Sequence, residues 1–546
     1  MKLRRILFVS VAFLALAGSV PAQENTLWER LLGVPAGRQP ARPLPPPEGF
    51  KDHVANGQLV LSLNDAIRLA FENNTDIRVD ESSLRNAENN VHRSFQFFDP
   101  LFSSSFDDQR IKSPSSTQLA GAPVLNTLSQ TTQFGYSQHF SPGTNFQTNF
   151  NVNKFSTNSS FSFLNPSFAT AWQLQVTQPL LRNFGRFPNR APILIARRNL
   201  RQTRSSFQAQ VSNILLQVVT QYWNAVLARD NLVVQKKAYD EAQQSYEHDE
   251  KALSLGALPP LDIYRSESQV ASRRLGVIQA EYALKQAEDN FREIIGADRD
   301  PEIRALDLNL TEDAAPHEAM ITTDIATALS AAFANRPEID ADQQQLAADE
   351  IGVRLAHNNL RPDLRLGGLY SSNGLGGNQF STATPPVLIA PGGLGDSLDQ
   401  LFNFKFPTYG ASLTLSLPIK NHGAEADLAD ALVNRNRDQY RQERTRQLIT
   451  LQVTNAVHLV EQAKLSVEAS KVAVDLAEKT LQAEQRKYTL GSSTVFFVLD
   501  AQNQLAQAEF SLVQAQTSYQ SAVAALDFAT GELLEHHQIQ IAPPHK

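Results

Sequence analysis

The chain has 546 residues, a formal net charge of −7, 42% hydrophobic residues, two methionines and no cysteine. Charges of both signs are interspersed, which argues against a nucleic-acid surface, and the missing thiols remove disulfides, thiolate metal sites and N-terminal lipidation. The length is ample for a large core.

Lys2, Arg4 and Arg5 precede an apolar run from Ile6 to Ala17, followed by small residues and Val20-Pro21-Ala22. Residues 1–22 therefore have the form of a secretory signal cleaved near Ala22, with a core shorter than the roughly 20 residues of a spanning helix. The mature chain is expected to be exported. Residues 23–58 form a leader in which Pro40, Pro43 and Pro45-Pro46-Pro47 favour an extended spacer. No later stretch offers 18 consecutive apolar residues, which excludes a helical membrane protein.

From residue 59 onward the chain reads as one unit written twice. Ala66-Ile67-x-x-Ala70-Phe71-x-Asn73 returns 262 positions later as Ala328-Leu329-x-x-Ala332-Phe333-x-Asn335, and the same offset carries Pro100 onto Pro362. Pro179 parallels Pro418, and Leu255-Gly256 parallels Leu490-Gly491. Helical segments align by chance; shared proline boundaries do so far less readily. Each half reads as helix, proline stop, alternating segment, proline, very long helix, glycine turn, helix. The halves are placed at 59–320 and 321–531, with a tail at 532–546.

In the first half a β segment is expected at about 101–178, a long helix at about 190–255 and a second helix at about 261–295. Phe134, Tyr136 and Phe140 alternate with polar residues, Ser141-Pro142-Gly143 makes a turn, and Phe146, Phe150 and Val152 resume the pattern, followed by Trp172, Leu174 and Val176. The second half answers at about 363–417 with Leu364, Leu366, Tyr370, Tyr409, Ala411, Leu413, Leu415 and Leu417. These are strands with one apolar face and one Ser/Thr/Asn/Gln face. A globular sandwich also shows such alternation. Export, aromatic-rich strands and Gly-rich loops at 374–377 and 392–395 favour a membrane barrel, which so few strands can close only with several subunits. Pro100 to Pro179 spans 79 residues against 56 from Pro362 to Pro418. The 23-residue excess suits either a long external loop or an extra hairpin, and four strands per subunit is the favoured count.

The long helices carry apolar stripes: Phe207, Val211, Ile214, Val218, Tyr222, Ala225 and Leu232 in the first, and Ile449, Val453, Val457, Val460, Val467, Val474 and Leu481 in its counterpart at about 424–490. Burying such stripes requires helices packed side by side. A last helix is expected at about 494–530.

In their order and duplication these motifs resemble the TolC-type outer-membrane efflux channels, over roughly residues 59 to 530. The resemblance implies an α+β membrane protein: a trimeric outer-membrane β-barrel, four strands from each subunit, continued by a long periplasmic α-helical coiled-coil barrel. It also implies that Leu255-Gly256-Ala257 and Leu490-Gly491-Ser492 are tips that meet a periplasmic adaptor protein, although glycine serves at any helix end. A gate link is implied between Asp262 and Tyr488; a simple helix-start aspartate is the other reading of Asp262. Ser493 and Leu261 stand where the family carries an arginine and a threonine. At the pore constriction the family's aspartates correspond to Phe497 and Asp500. Threefold symmetry would make Asp500 a ring of carboxylates that attracts cations, beside an apolar ring of Phe497.

Catalysis finds little support: the eleven histidines are scattered, and HExxH, P-loop and Gly-x-Ser-x-Gly motifs are missing. His536-His537 reads as a solvated tail rather than a metal site, and soft ligands for copper are lacking. The expectation is a passive conduit with no cofactor and no metal, serving efflux or type I secretion, its energy supplied by an inner-membrane transporter. The competing expectation is a non-transporting periplasmic coiled-coil scaffold with a soluble β domain.

Overall fold

The computed structural model describes residues 46–116, 118–256, 259, 261–316, 320–381 and 387–539. The signal sequence, most of the leader, Ala257 of the first tip and the end of the tail lie outside the described residues.

A two-residue strand β1 (Val54–Ala55) pairs with β2 (Gln58–Leu61), which leads into α1 (Leu63–Asn73). Ser62 starts that helix with a capping box, its hydroxyl accepting from the Asp65 N–H while Asp65 reaches back to the Ser62 N–H. Asn74 then caps α2 (Thr75–Arg93) by accepting from Asp76 and Ile77 N–H. Four long strands follow: β3 (Leu101–Pro114), β4 (Val124–His139), β5 (Asn145–Thr157) and β6 (Leu164–Pro179). Next come α3 (Arg186–Ser254), α4 (Ile263–Ile295) and β7 (Asp307–Leu310), which lies parallel to β2.

The second half repeats the order with α5 (Ile325–Asn335), α6 (Pro337–Asn359), β8 (Asp363–Phe380), a short β9 (Leu388–Ala390), α7 (Leu394–Phe402), β10 (Phe406–Ser416), α8 (His422–Thr489) and α9 (Val495–Thr530). At 69 and 68 residues, α3 and α8 are rods about 100 Å long at ~1.5 Å per residue. No helix among the described residues is long and apolar enough to cross a membrane.

The duplicated Ala-x-x-x-Ala motif has a packing reason. Ala66, Ala70, Ala328 and Ala332 are buried, letting α1 and α5 lie close against the long helices. The asparagine ending each motif meets a glycine that ends a hairpin. A Cβ on Gly296 would stand 2.8 Å from the Asn73 carbonyl oxygen, and one on Gly531 3.0 Å from the Asn335 carbonyl carbon. Both glycines have φ near +80°, the left-handed helix cap that only glycine adopts without cost.

Each half has its own core. In the first, Val211, Leu215, Val218 and Tyr222 of α3 pack with Phe291 of α4, Ile67 of α1 and Leu61 of β2. In the second, Ile449, Val453, Val457 and Val460 of α8 pack with Tyr519 and Leu526 of α9 and with the α5 alanines. The two stripes read from sequence supply these residues. Tyr222 is fully buried, its OH donating to Leu61 O at 3.3 Å and accepting from the Glu312 N–H at 3.3 Å. Burial is the main cause holding this phenol above its ordinary pKa.

The large sheet runs β10-β8-β6-β5-β4-β3, with β9 beside β8. It thus has six long strands, where four per subunit are expected in the membrane. The 23-residue excess is a complete hairpin, because the two-residue alternation runs through both arms and Gly143, at φ +95°, allows the tight turn between them. One face carries the cross-strand row Phe134, Phe150 and Trp172. The other carries Gln133, Asn151 and Asn373, whose rows run continuously through Ala171. Among the described residues, strands β3 and β10 are each paired on one side only. Of the glycines expected in loops, 374–377 instead lie within β8, where a Cβ on Gly374 would strike the Ser397 carbonyl, and 392–393 lead into α7, which lies on the apolar face: Ser372 Oγ donates to Leu401 O at 2.7 Å, and the Phe150 and Phe402 rings stack at 6.4 Å.

Tyr222→Phe removes the partner of the Glu312 N–H, while the Leu61 carbonyl keeps the Thr311 N–H. It should cost about 1–3 kcal/mol, read as a lowered thermal midpoint by circular dichroism.

Candidate functional site

Helices α3 and α4 form one hairpin, α8 and α9 the other. Their turns carry Gly256 at φ +73° and Gly491 at φ +71°, a conformation that reverses the chain in few residues. The Gly256 N–H donates to Leu253 O at 2.9 Å and the Gly491 N–H to Tyr488 O at 3.0 Å, so the last helical carbonyls are satisfied. Ser492 closes the second turn by donating its backbone N–H and its hydroxyl to Lys487 O. Leu255 and Leu490 crown the tips, 83% and 81% exposed. Large apolar side chains so exposed at two equivalent turns are groups a partner can cover.

Just inside the tips lies a buried carboxylate. Asp249 of α3 is 1% exposed, and both its oxygens are engaged: Oδ2 accepts from Ser266 Oγ of α4 at 2.5 Å, and Oδ1 accepts from Tyr488 OH of α8 at 2.7 Å. His248 Nδ1 stands 3.4 Å from Oδ1. A charge taken out of water needs such donors, and these tie three helices to one residue. Burial first, then the Asp249 carboxylate, with a smaller push from Asp262, hold the Tyr488 phenol above its ordinary pKa. Tyr488 therefore remains a neutral donor across the physiological range.

The structure thus pairs Tyr488 with Asp249, not with Asp262. Asp262 lies at the start of α4 with its side chain partly in solvent, 3.9 Å from Arg265 Nε, and acts on Tyr488 only through its charge. By position it is the helix-start aspartate of the other reading, the residue before Ile263, although its side chain accepts no bond from the first turn of α4. Sequence reasoning missed Asp249, although a signal existed. Val234, Ala238, Ala242 and Asp249 fall on one buried stripe of α3, so an acidic residue occupies a position where the helical period calls for an apolar one.

Phe497 and Asp500 lie on the first turns of α9, three residues apart and so on one face. Phe497 stays half exposed, its ring edge-on to Phe496 at 5.4 Å. Asp500 is exposed and accepts from Gln504 Nε2 at 2.7 Å. Arg265 places its guanidinium 5.8 Å from the Phe496 ring, in a groove shared with Leu261, Tyr264, Leu499 and Asp500. The two hairpins are laced together above this point: Gln502 Nε2 donates to Ser245 Oγ at 2.9 Å, Gln269 Nε2 to Asn503 Oδ1 at 2.6 Å, and Lys237 Nζ to Glu509 Oε1 at 2.5 Å.

His536 is exposed, as a solvated tail residue would be, yet anchored: its Nδ1 lies 3.0 Å from Asp527 Oδ2, and His537 Nδ1 lies 2.9 Å from Asn64 Oδ1. With Glu532 these groups could in principle surround a cation. The Asp527 bond also raises the His536 pKa.

The model of a family described as outer membrane efflux protein matches residues 66–297 and 328–532, and its two stretches begin at Ala66 and Ala328, the alanines that open the internal repeat. The chain is 24% identical over 327 residues to nodulation protein T of Rhizobium leguminosarum bv. trifolii, covering 58% of this chain and 62% of that relative, less than two thirds of its length. It is 23% identical over 360 residues to outer membrane protein TolC of Vibrio cholerae, covering 63% of this chain and 74% of that protein. The fold is similar to that of the Campylobacter jejuni CmeC outer membrane channel, with a TM-score of 0.62, 15% identity and 94% of each chain covered.

Tyr488→Phe and Asp249→Ala should each raise resting conductance in planar bilayers, and their combination should add little, because both remove the same bond. Asp262→Ala should leave conductance near that of the unmodified protein. The reverse ranking would return the link to Asp262.

Proposed function

The chain belongs to the outer membrane efflux protein family, a non-enzymatic transport family of the outer membrane, and from that premise we propose that three copies build one passive conduit. Each copy gives its sheet to a barrel in the outer membrane and its four long helices to a periplasmic tunnel. The observation that carries this reading is the large sheet itself. It is apolar on one face and amide-rich on the other, with a free edge at each end, and two hairpins about 100 Å long hang from it.

In this reading residues 1–22 are a cleaved signal and 23–58 a leader. Residues 59–320 and 321–531 are the two repeats, and 532–546 are a tail. The exposed Leu255 and Leu490, with Gly256, Ala257, Gly491 and Ser492, form the surface that meets a periplasmic adaptor protein, itself coupled to an inner-membrane transporter that supplies the energy. The Tyr488–Asp249 bond holds the entrance of each subunit, with Asp262 adding only charge. Phe497 and Asp500 project from α9 below it, so threefold symmetry sets one apolar ring and one carboxylate ring at the mouth. Efflux and type I secretion both use such a passage.

Recovery in the outer-membrane fraction together with discrete single-channel conductance would support the conduit. A soluble monomeric or dimeric periplasmic species without conductance would support a scaffold instead. Asp500→Asn should lower the cation preference of the open channel, measured as a shift of reversal potential in a salt gradient, and an unchanged potential would remove Asp500 from the constriction.

A further inference from the structure

We infer that each subunit places six strands in the barrel wall, so that three copies close a wall of eighteen strands, with the β4–β5 hairpin as the segment that widens it. The inference rests on the three-copy reading above and goes beyond the four strands per subunit that the resemblance implies.

The internal repeat identifies what has been added. Pro100 and Pro362 precede β3 and β8, Pro179 ends β6 and Pro418 follows β10, so β3 corresponds to β8 and β6 to β10. In the second half the corresponding strands pair directly, from Phe406↔Asn373 to Ser416↔Asp363. In the first half β4 and β5 stand between them, laddered to each other from Thr127↔Thr157 to His139↔Asn145, to β3 on one side and to β6 on the other.

Three features make this hairpin wall rather than loop. Its arms of 16 and 13 residues exceed the roughly 9–11 that a tilted strand needs to cross a bilayer. Its turn sits at the helix-bearing end of the sheet, where the Gly185 N–H, at the start of α3, donates to Pro142 O at 3.1 Å. Both arms therefore run the full height of the sheet. Finally, its faces match those of its neighbours: Phe134 and Phe150 continue the row of Trp172, while Gln133 and Asn151 continue the polar row. A hairpin lying in water or plugging the lumen has no need of a lipid-grade face in register with the wall.

The edges agree with closure. Successive neighbours in the sheet are antiparallel throughout, so β3 and β10 run in opposite directions. The β3 of one copy laid beside the β10 of the next keeps the alternation and the even strand number of closed outer-membrane barrels. Both edges also present apolar side chains on the same face: Phe102 and Phe106 on β3, and Tyr409, Leu413 and Leu415 on β10, all exposed within one chain. Barrel diameter grows in proportion to strand number, so eighteen strands give a lumen about half as wide again as twelve.

The full-length protein in lipid nanodiscs tests this, and the absence of cysteine makes introduced thiols unambiguous. Native mass spectrometry should give three copies. Ser412→Cys in β10, scanned against Ser103→Cys, Ser105→Cys and Gln109→Cys in β3, should yield a ladder of oxidised dimers and trimers. Spin labels at Phe134→Cys, the exposed member of the apolar row away from Phe402, should be relaxed by lipid-soluble oxygen and labels at Asn151→Cys by a water-soluble nickel chelate. Three copies with both labels in water, or with Ser412→Cys joining only Asn149→Cys or Asn151→Cys of β5, would overturn the strand count alone. Any other copy number would overturn the assembly reading and the inference with it.

Discussion

Hydrocarbon cannot satisfy a backbone N–H or carbonyl, and this constraint governs the large sheet. Every inner strand finds partners on both sides, but β3 and β10 each leave one row of groups open, and the face beside those rows is apolar. Such edges are stable in lipid only when paired, which within one chain they are not. The duplicated sequence therefore builds a part whose backbone accounting is completed by further copies.

The helices obey a different rule. Rods about 100 Å long carry little intrinsic reason to stay parallel, and their stability comes from stripes that bury against neighbours. In the first half the stripe on α3 is closed by α1, α4 and the β2 strand, and in the second the stripe on α8 is closed by α5 and α9. Toward the first tip the apolar stripe of α3 thins to alanines and then to Asp249, and polar bonds such as Gln502 to Ser245 join it to the second hairpin, which keeps its own apolar cluster of Leu481, Val498 and Leu505. A seam held by directional bonds has defined partners to break; one held by nondirectional packing does not.

Much of this was legible in the residues because periodicity and punctuation are local. Pro100, Pro179, Pro362 and Pro418 mark where helix and strand exchange, since proline both lacks a donor and restrains the residue before it. The stripe of Phe207, Val211, Ile214 and Val218 declares its buried side through a 3.6-residue period. The strand count was not legible, because the extra residues between Pro100 and Pro179 state a length and not a pairing; only the ladder from Thr127 to His139 assigns them to the sheet. The partner of Tyr488 was also hidden. Asp249 and Asp262 stand on either side of the same turn, and which one a tyrosine 239 residues from Asp249 reaches depends on how two hairpins lie together. α7 escaped notice because nine residues behind a pair of glycines look like a loop until they meet the apolar face over which they fold.

The division of labour at Asp249 has a further consequence. Oδ2 is held by Ser266 within the first hairpin, whereas Oδ1 is held by Tyr488 from the second. Parting α8 from α3 thus breaks one bond and leaves the carboxylate with a donor of its own. In the proposed gate, the first hairpin would then move with its Asp249–Ser266 bond intact, and the carboxylate would keep its place for the phenol to return to.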